Sequence, residues 1–194
     1  MDTIDRDAAD RADMERLVAG QEAAFASLME RHATGVFHFL HRMLGNEEDA
    51  GDLAQEVFLR VFRARESYRP DLKFSTWLFT IAANLGRNQL RWRSRHPNVS
   101  ADAESETTGQ TLGESLPANA PSPEQAAESG ERAVAVRAAV QRLPADLREA
   151  ILLCEWEDLA VAEAAVILNA TPKAVESRLY RARRLLRDSL KTWL

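Results

Sequence analysis

The chain has 194 residues, 45% apolar and 28% charged, and a formal net charge of -5. That is ordinary composition for one large or two small globular domains, and it excludes a fibre or a wholly disordered chain. No apolar run approaches the ~20 residues that cross a bilayer, and MDTIDRDAADRADMER lacks the basic start and apolar middle of a secretion signal, so a cytoplasmic protein without membrane insertion is expected.

Cys154 is the lone cysteine; it follows the apolar run Ile151, Leu152, Leu153 and reads as a small core residue. Neither it nor His32, His38, His41 and His96 completes a metal-ligand set, so no cofactor is expected. There is no glycine-rich phosphate loop and no nucleophile paired with a histidine, which argues against an enzyme.

In chain order, residues 7–19 predict a short acidic helix stopped at Gly20. From 21 to 44, Phe25, Leu28, Met29, Val36, Phe37, Leu40, Met43 and Leu44 recur near every 3.6 residues, a long helix with one buried stripe. Asn46 suits the N-cap of the next helix, with Glu47, Glu48 and Asp49 in a first turn where the macrodipole favours negative charge. Leu53, Val57, Val61 and Phe62 continue the inward stripe, leaving Asp49, Asp52, Gln55, Glu56 and Leu59 outward. Such a band is either a docking surface for a basic partner or a solvated face.

Between Arg60 and His96 the charge reverses. Arg60, Arg63, Arg65, Arg69, Lys73, Arg87, Arg91, Arg93 and Arg95 oppose only Glu66 and Asp71, a local cation excess on an acidic chain that marks a polyanion site. Tyr68, Phe74, Trp77, Phe79 and Trp92 interleave with these cations, as in surfaces that stack the bases of a single strand. Phe74, Trp77, Leu78 and Ile81 also fit a core stripe, and both readings stand. Turn chemistry at 68–71 breaks the helix, and a new one is expected over about 75–92, with the loop forming a lip beside its basic end.

Residues 98–130 carry six carboxylates and no lysine or arginine among Ser, Ala, Gly, Pro and Thr, which predicts a flexible acidic linker over 98–122. Ser122, Pro123, Glu124 and Gln125 have capping-box form with proline at the first helical position. Helices are then expected over 133–143, 147–156, about 159–168 and 172–190. The last two make a helix-turn-helix around Asn169, Ala170 and Thr171. Lys173, Arg178, Arg181, Arg183, Arg184 and Arg187 decorate the final helix outside a stripe of Val175, Leu179, Ala182, Leu185 and Leu186, so its first turns suit a major groove.

Four segments in this order resemble the extracytoplasmic-function sigma factors of bacterial RNA polymerase: DAGDLAQEVFL at 49–59, FSTWLFTIAAN at 74–84, Leu143-Pro144 with Arg148, and VESRLYRAR at 175–183. The resemblance implies an all-α chain of two small helical domains, region 2 over 1–97 and region 4 over 123–194, tethered by 98–122. It implies a stress-responsive transcription initiation factor that docks on core RNA polymerase, reads minus-10 and minus-35 promoter elements and helps melt the DNA. Asp49, Asp52, Gln55, Glu56 and Leu59 would meet the clamp helices of the polymerase. Arg65, Tyr68, Arg69, Lys73, Asn84, Arg87, Asn88, Arg91, Arg93 and Arg95 would hold the minus-10 strand, with Asn84 and the 68–73 loop capturing a flipped base.

Thr171, Lys173, Glu176, Ser177, Arg178, Arg181 and Arg184 would read the minus-35 element, with that domain also leaning on the polymerase flap, and an anti-sigma factor would be the inhibitory partner. A tether of about 25 residues reaches ~80 Å when extended and ~28 Å as a coil. Promoter elements some 25 base pairs apart are ~85 Å apart, so the tether must be held open. The chain departs from the family at Ala160, where serine is usual, at Asn169, where glycine is usual, and at Glu176, where a neutral or basic residue is common. A competing reading is a helix-turn-helix regulator of duplex DNA without polymerase; it gives no role to the Asp52 and Gln55 face or to the basic aromatic stretch.

Overall fold

Met14 and Leu17, both fully buried, press the first helix, α1 (Thr3–Val18), onto the long α2 (Ala23–Leu44). The computed structural model describes residues 3–96 and 123–193, which are helical and without strands. Gly20 at φ +88° ends α1, its N–H donating to the Leu17 carbonyl at 3.1 Å. A buried ionic knot then fixes α1 on α2. The Asp10 carboxylate meets His32 Nε2 at 2.7 Å and accepts from Arg31 Nε at 2.8 Å. Burial alone would raise the Asp10 carboxyl, but hydrogen bonds and charge from His32 and Arg31 outweigh it and hold it below the ordinary range.

Helix α3 (Glu47–Arg63) starts where the sequence predicts: Asn46 Oδ1 accepts from the Asp49 N–H at 2.8 Å. After a 3-10 turn at Arg65–Ser67, α4 (Phe74–Arg95) closes a four-helix bundle. Its core holds Leu28, Val36, Phe39, Leu40, Met43, Val57, Val61, Phe74, Leu78 and Phe79. Met29, assigned to the stripe, is instead 38% exposed, because the buried arc of α2 runs through Leu28, His32, Val36 and Phe39.

The second domain begins with α5 (Pro123–Gln141), which runs as one helix where the sequence separates a capping box at 122–125 from a helix at 133. Only Gly130 interrupts that stretch, at a cost of about 1 kcal/mol that a long helix absorbs. The Ser122 cap and the tether over 98–122 lie outside the described residues. Helix α6 (Ala145–Ile151) widens into a π turn at Leu152–Trp156, with the Glu157 N–H reaching back to the Leu152 carbonyl at 3.2 Å. Helices α7 (Val161–Ile167) and α8 (Pro172–Ser189) form the helix-turn-helix. Asn169, at φ +47°, supplies the left-handed residue of its turn. Val175, Leu179 and Ala182 face inward as expected, but Leu185, placed in the same stripe, is exposed. Cys154 sits half-buried at the edge of the core.

The α7 start lacks the side-chain cap that serine would give at Ala160. The Ala160 N–H still donates to Glu163 Oε2 at 2.8 Å, so half of a capping box survives.

The two domains pack together. Helix α4 lies on α7, while α2 meets α5, α6 and the π turn. Four carbonyls end α2 without intrahelical partners, and each finds one. Gly45 N–H donates to His41 at 2.8 Å, Gln141 Nε2 to Arg42 at 2.5 Å, Arg148 Nη1 to Met43 at 2.6 Å and Arg93 Nη1 to Leu44 at 3.1 Å. Gly35 permits the close approach of the π-turn region, since a Cβ there would stand 3.2 Å from Glu157 Oε2.

Candidate nucleic-acid interface

An open cleft of about 370 Å³ lies between the C-terminal half of α3 and the outer face of α4. Arg60, Arg63 and Ala64 form one wall; Trp77, Ile81 and Asn84, spaced four and three apart along α4, form the other. The size is within the ~300–1,000 Å³ of small-ligand sites, and the lining joins an aromatic face, an amide and two guanidinium groups. Such a set can stack a base, pair with its edge and neutralise its phosphate.

Trp77 resolves the two readings of its spacing by serving both. Its ring lies 5.4 Å from Tyr68 and 6.1 Å from Phe74 between centroids, and the half-buried side chain also lines the cleft. Phe74 is wholly core. Arg60 and Arg63, counted among the cations of the polyanion stretch, and Ile81, assigned to the core stripe, also line the cleft, although none of the three was in the minus-10 set. The signal was present in two arginines one turn apart opposite an i, i+4, i+7 row that ends on Asn84.

The other minus-10 candidates divide by environment. Asn84, Asn88, Arg91 and Arg95 are exposed on α4, Asn84 accepting from Arg87 and Asn88 from Arg91. Beside them Trp92 stacks on His96 at 4.8 Å. Arg69 is exposed on the loop, whose shape is held by the Tyr68 hydroxyl donating to the Leu72 carbonyl at 3.0 Å. Arg65 lies over the Phe62 ring at 4.6 Å and donates to its carbonyl. Arg93 points the other way, to Asp49 and the Leu44 carbonyl.

Two further cations are held by carboxylates. Arg87 Nη1 donates to Glu149 Oε2 at 2.9 Å, and Lys73 Nζ lies 2.9 Å from Asp7 and 3.1 Å from Glu163. Hydrogen bonds to Asp7 and Glu163 raise the Lys73 ammonium above its ordinary value. Burial pushes the Glu149 carboxyl up, with Arg87 partly countering it.

The docking band on α3 is also split. Asp52, Gln55 and Leu59 face solvent, Leu59 at 49% exposure. Glu56 pairs with Arg60 at 2.7 Å, while Asp49 accepts from Gln89 at 2.9 Å and from Arg93, tying α3 to α4.

On the second domain, Thr171 caps α8 by accepting from the Ala174 N–H at 3.2 Å. Lys173, Glu176, Ser177, Arg181 and Arg184 form an exposed row after it. Arg178 is half-buried, 3.7 Å from Asp146. A basic, exposed second helix with a capped N-terminus is the geometry that enters a major groove.

Two helical domains, one with a basic aromatic cleft and one with a helix-turn-helix, define a nucleic-acid-binding protein that reads two separate stretches. Residues 28–96 match Sigma-70 region 2, and residues 133–186 match Sigma-70, region 4. The ECF RNA polymerase sigma factor SigW of Bacillus subtilis is 32% identical, over 92% of this chain and 95% of its own length. SigE of Mycolicibacterium smegmatis is 36% identical over 88% of this chain, which spans 64% of that relative. The structure of CnrH in complex with the cytosolic domain of CnrY matches with a TM-score of 0.68 at 25% identity, over 95% of this chain and 98% of that one. The chain belongs to the extracytoplasmic-function sigma factors of RNA polymerase, which direct core polymerase to promoters.

Proposed function

We propose that the chain divides the sigma task among three surfaces. Asp52, Gln55 and Leu59 on α3 dock on core RNA polymerase, with Asp49 tying α3 to α4 behind them and Glu56 paired with Arg60 along the same helix. The α3–α4 cleft takes a base of the minus-10 strand: Trp77 offers a stacking face, Asn84 an amide for its edge, and Arg60, Arg63 and Arg91 charge for flanking phosphates. The first turns of α8 read the minus-35 element, with Lys173, Arg181 and Arg184 positioning and Glu176 and Ser177 specifying. Melting needs no covalent chemistry: unstacking a base costs a few kcal/mol, and stacking returns about 1–3 kcal/mol per base.

The observation that carries this reading is the cleft, where an exposed asparagine, a tryptophan face and two arginines converge on the family's region 2. CnrH was solved with a polypeptide partner, and we extend to this chain a polypeptide anti-sigma factor that holds it inactive. The test reconstitutes the full chain with sigma-free core polymerase on a library of randomised promoters. Transcripts that start at a shared pair of sequence elements are expected. Binding to duplex DNA with no effect on core would instead support a plain regulator.

A further inference from the structure

The outer face of α4 repeats one small arrangement. Its sequence NLGRNQLR at 84–91 places an arginine three residues after each of two asparagines, and both pairs close. Arg87 Nη2 donates to Asn84 Oδ1 and Arg91 Nη2 to Asn88 Oδ1, each at 2.5 Å. A guanidinium has donors only, so it holds a carboxamide by the oxygen alone. That leaves Nδ2 of Asn84 and of Asn88 as the free end of each side chain, with no partner among the described residues. Both asparagines are exposed, one turn and about 6 Å apart along the helix, and Asn84 lines the cleft beside Trp77.

We propose that Arg87 and Arg91 are positioning residues that set the base preference of the α4 face: by holding Oδ1 they make each asparagine a donor-only reader, which takes a base edge rich in acceptors and rejects adenine. This rests on the minus-10 role proposed for Asn84 and adds the class of base that is taken. A free asparagine pairs with adenine by accepting from N6 and donating to N7. Here the accepting half of that pair is occupied, and the positive guanidinium disfavours a second N–H donor at the same oxygen. Adenine is left with one bond and an unpaired amino group. Guanine through O6 and N7, thymine through O4 and cytosine through O2 and N3 meet the Nδ2 donors without that loss. The Asn84–Arg87 bond is made within one helix and does not depend on Glu149, which accepts from Nη1 of the same guanidinium. Arg91 likewise keeps Nη1 for a phosphate.

The test uses holoenzyme reconstituted from the full chain and core polymerase, with a promoter library randomised through the minus-10 element and the transcribed templates sequenced. Wild type is expected to deplete adenine about tenfold at two positions. Arg87→Met keeps the aliphatic stem and removes the donors, so the Asn84 amide turns freely. It should bring adenine back to within about twofold of the other bases at one of these positions, and Arg91→Met should do so at the other alone. Preferences are read as ratios within one variant, so a fall in total transcription does not enter them. Arg87→Lys, which still donates to Oδ1, should restore the depletion. Glu149→Gln, which alters only the other contact of Arg87, should keep the wild-type ratios.

Adenine enriched at both positions in wild type would overturn the proposal. So would unchanged ratios in Arg87→Met and Arg91→Met, which would make both arginines phosphate contacts and nothing more. If Asn84→Ala transcribes the library as wild type does, the minus-10 role itself fails. That outcome is distinct from Asn84→Ala losing promoter melting while the arginine variants keep wild-type ratios, which sinks the positioning role alone.

Discussion

Arg148 Nη1 donates to the Met43 carbonyl across the domain boundary at 2.6 Å, and the same guanidinium also donates to Leu143 at 3.1 Å and to Gln141. One side chain of the second domain thus closes its own α5–α6 turn and the C-terminus of α2. Arg148→Ala leaves these carbonyls without their donor. At roughly 1–3 kcal/mol per buried unsatisfied group, partly offset by water entry, a loss of about 3 kcal/mol is expected, or ~6–12 °C in Tm. Thermal unfolding followed by circular dichroism checks it, and a shift below ~2 °C would show that the bonds carry little.

Glu157 gives the domain contact a pH dependence. Burial against α2 at Gly35 pushes its carboxyl up to about 7, against the pull of Arg42 and with help from Asp158. A carboxyl whose value is raised in the closed state contributes fully below the open-state value near 4.5, and its contribution is lost as pH rises through about 7. The packed arrangement of the two domains therefore loosens between about pH 4.5 and 7 and changes little above that. The yield of the carbodiimide-formed Lys73–Glu163 product, taken relative to the Lys73–Asp7 product to cancel the reagent's own pH dependence, should fall across that range in wild type and stay flat in Glu157→Gln. A yield that rises with pH would reverse the sign.

Arg91 and Arg93, two residues apart in the sequence, do different things. Arg91→Ala should weaken open-complex formation with the fold intact. Arg93→Ala should cost about 1–2 kcal/mol of stability, because Asp49 and the Leu44 carbonyl lose their partner. Denaturant titration beside permanganate footprinting separates the two; a stable Arg93→Ala with a DNA defect would reassign it to the strand.

On α8, Lys173→Ala is expected to weaken promoter binding evenly across sequences and to lower the salt slope by about 1. Glu176→Gln should change preference at one minus-35 position by ~1–3 kcal/mol, since only the carboxylate accepts without also donating to the wrong base. Binding to a minus-35 library at several salt concentrations measures both, and a sequence-dependent loss for Lys173→Ala would contradict the first.

The helices were legible because their signals are local. Asn46 caps α3, Thr171 and Pro172 open α8, Gly20 stops α1 and Asn169 takes the left-handed turn, each as its chemistry dictates. Less legible was whatever depends on which element a side chain meets. Arg93 reads as one more cation until Asp49 is found opposite it, and Trp77 reads as core until it is found to line the cleft with Arg60 and Arg63. The domain contact was invisible for the same reason: nothing in the spacing of Glu149 or Glu163 points to Arg87 or Lys73, which lie far away in the chain. Only the Arg148 motif, matched by family resemblance, marked a residue of that contact.

The most direct test of strand capture in the α3–α4 cleft is run-off transcription by core polymerase reconstituted with wild-type chain or Asn84→Ala, with core affinity measured on the same preparations. Asn84→Ala should bind core as wild type does and lose at least about tenfold in promoter melting, as expected for an amide that pairs with a captured base. Wild-type transcription from Asn84→Ala would contradict the account.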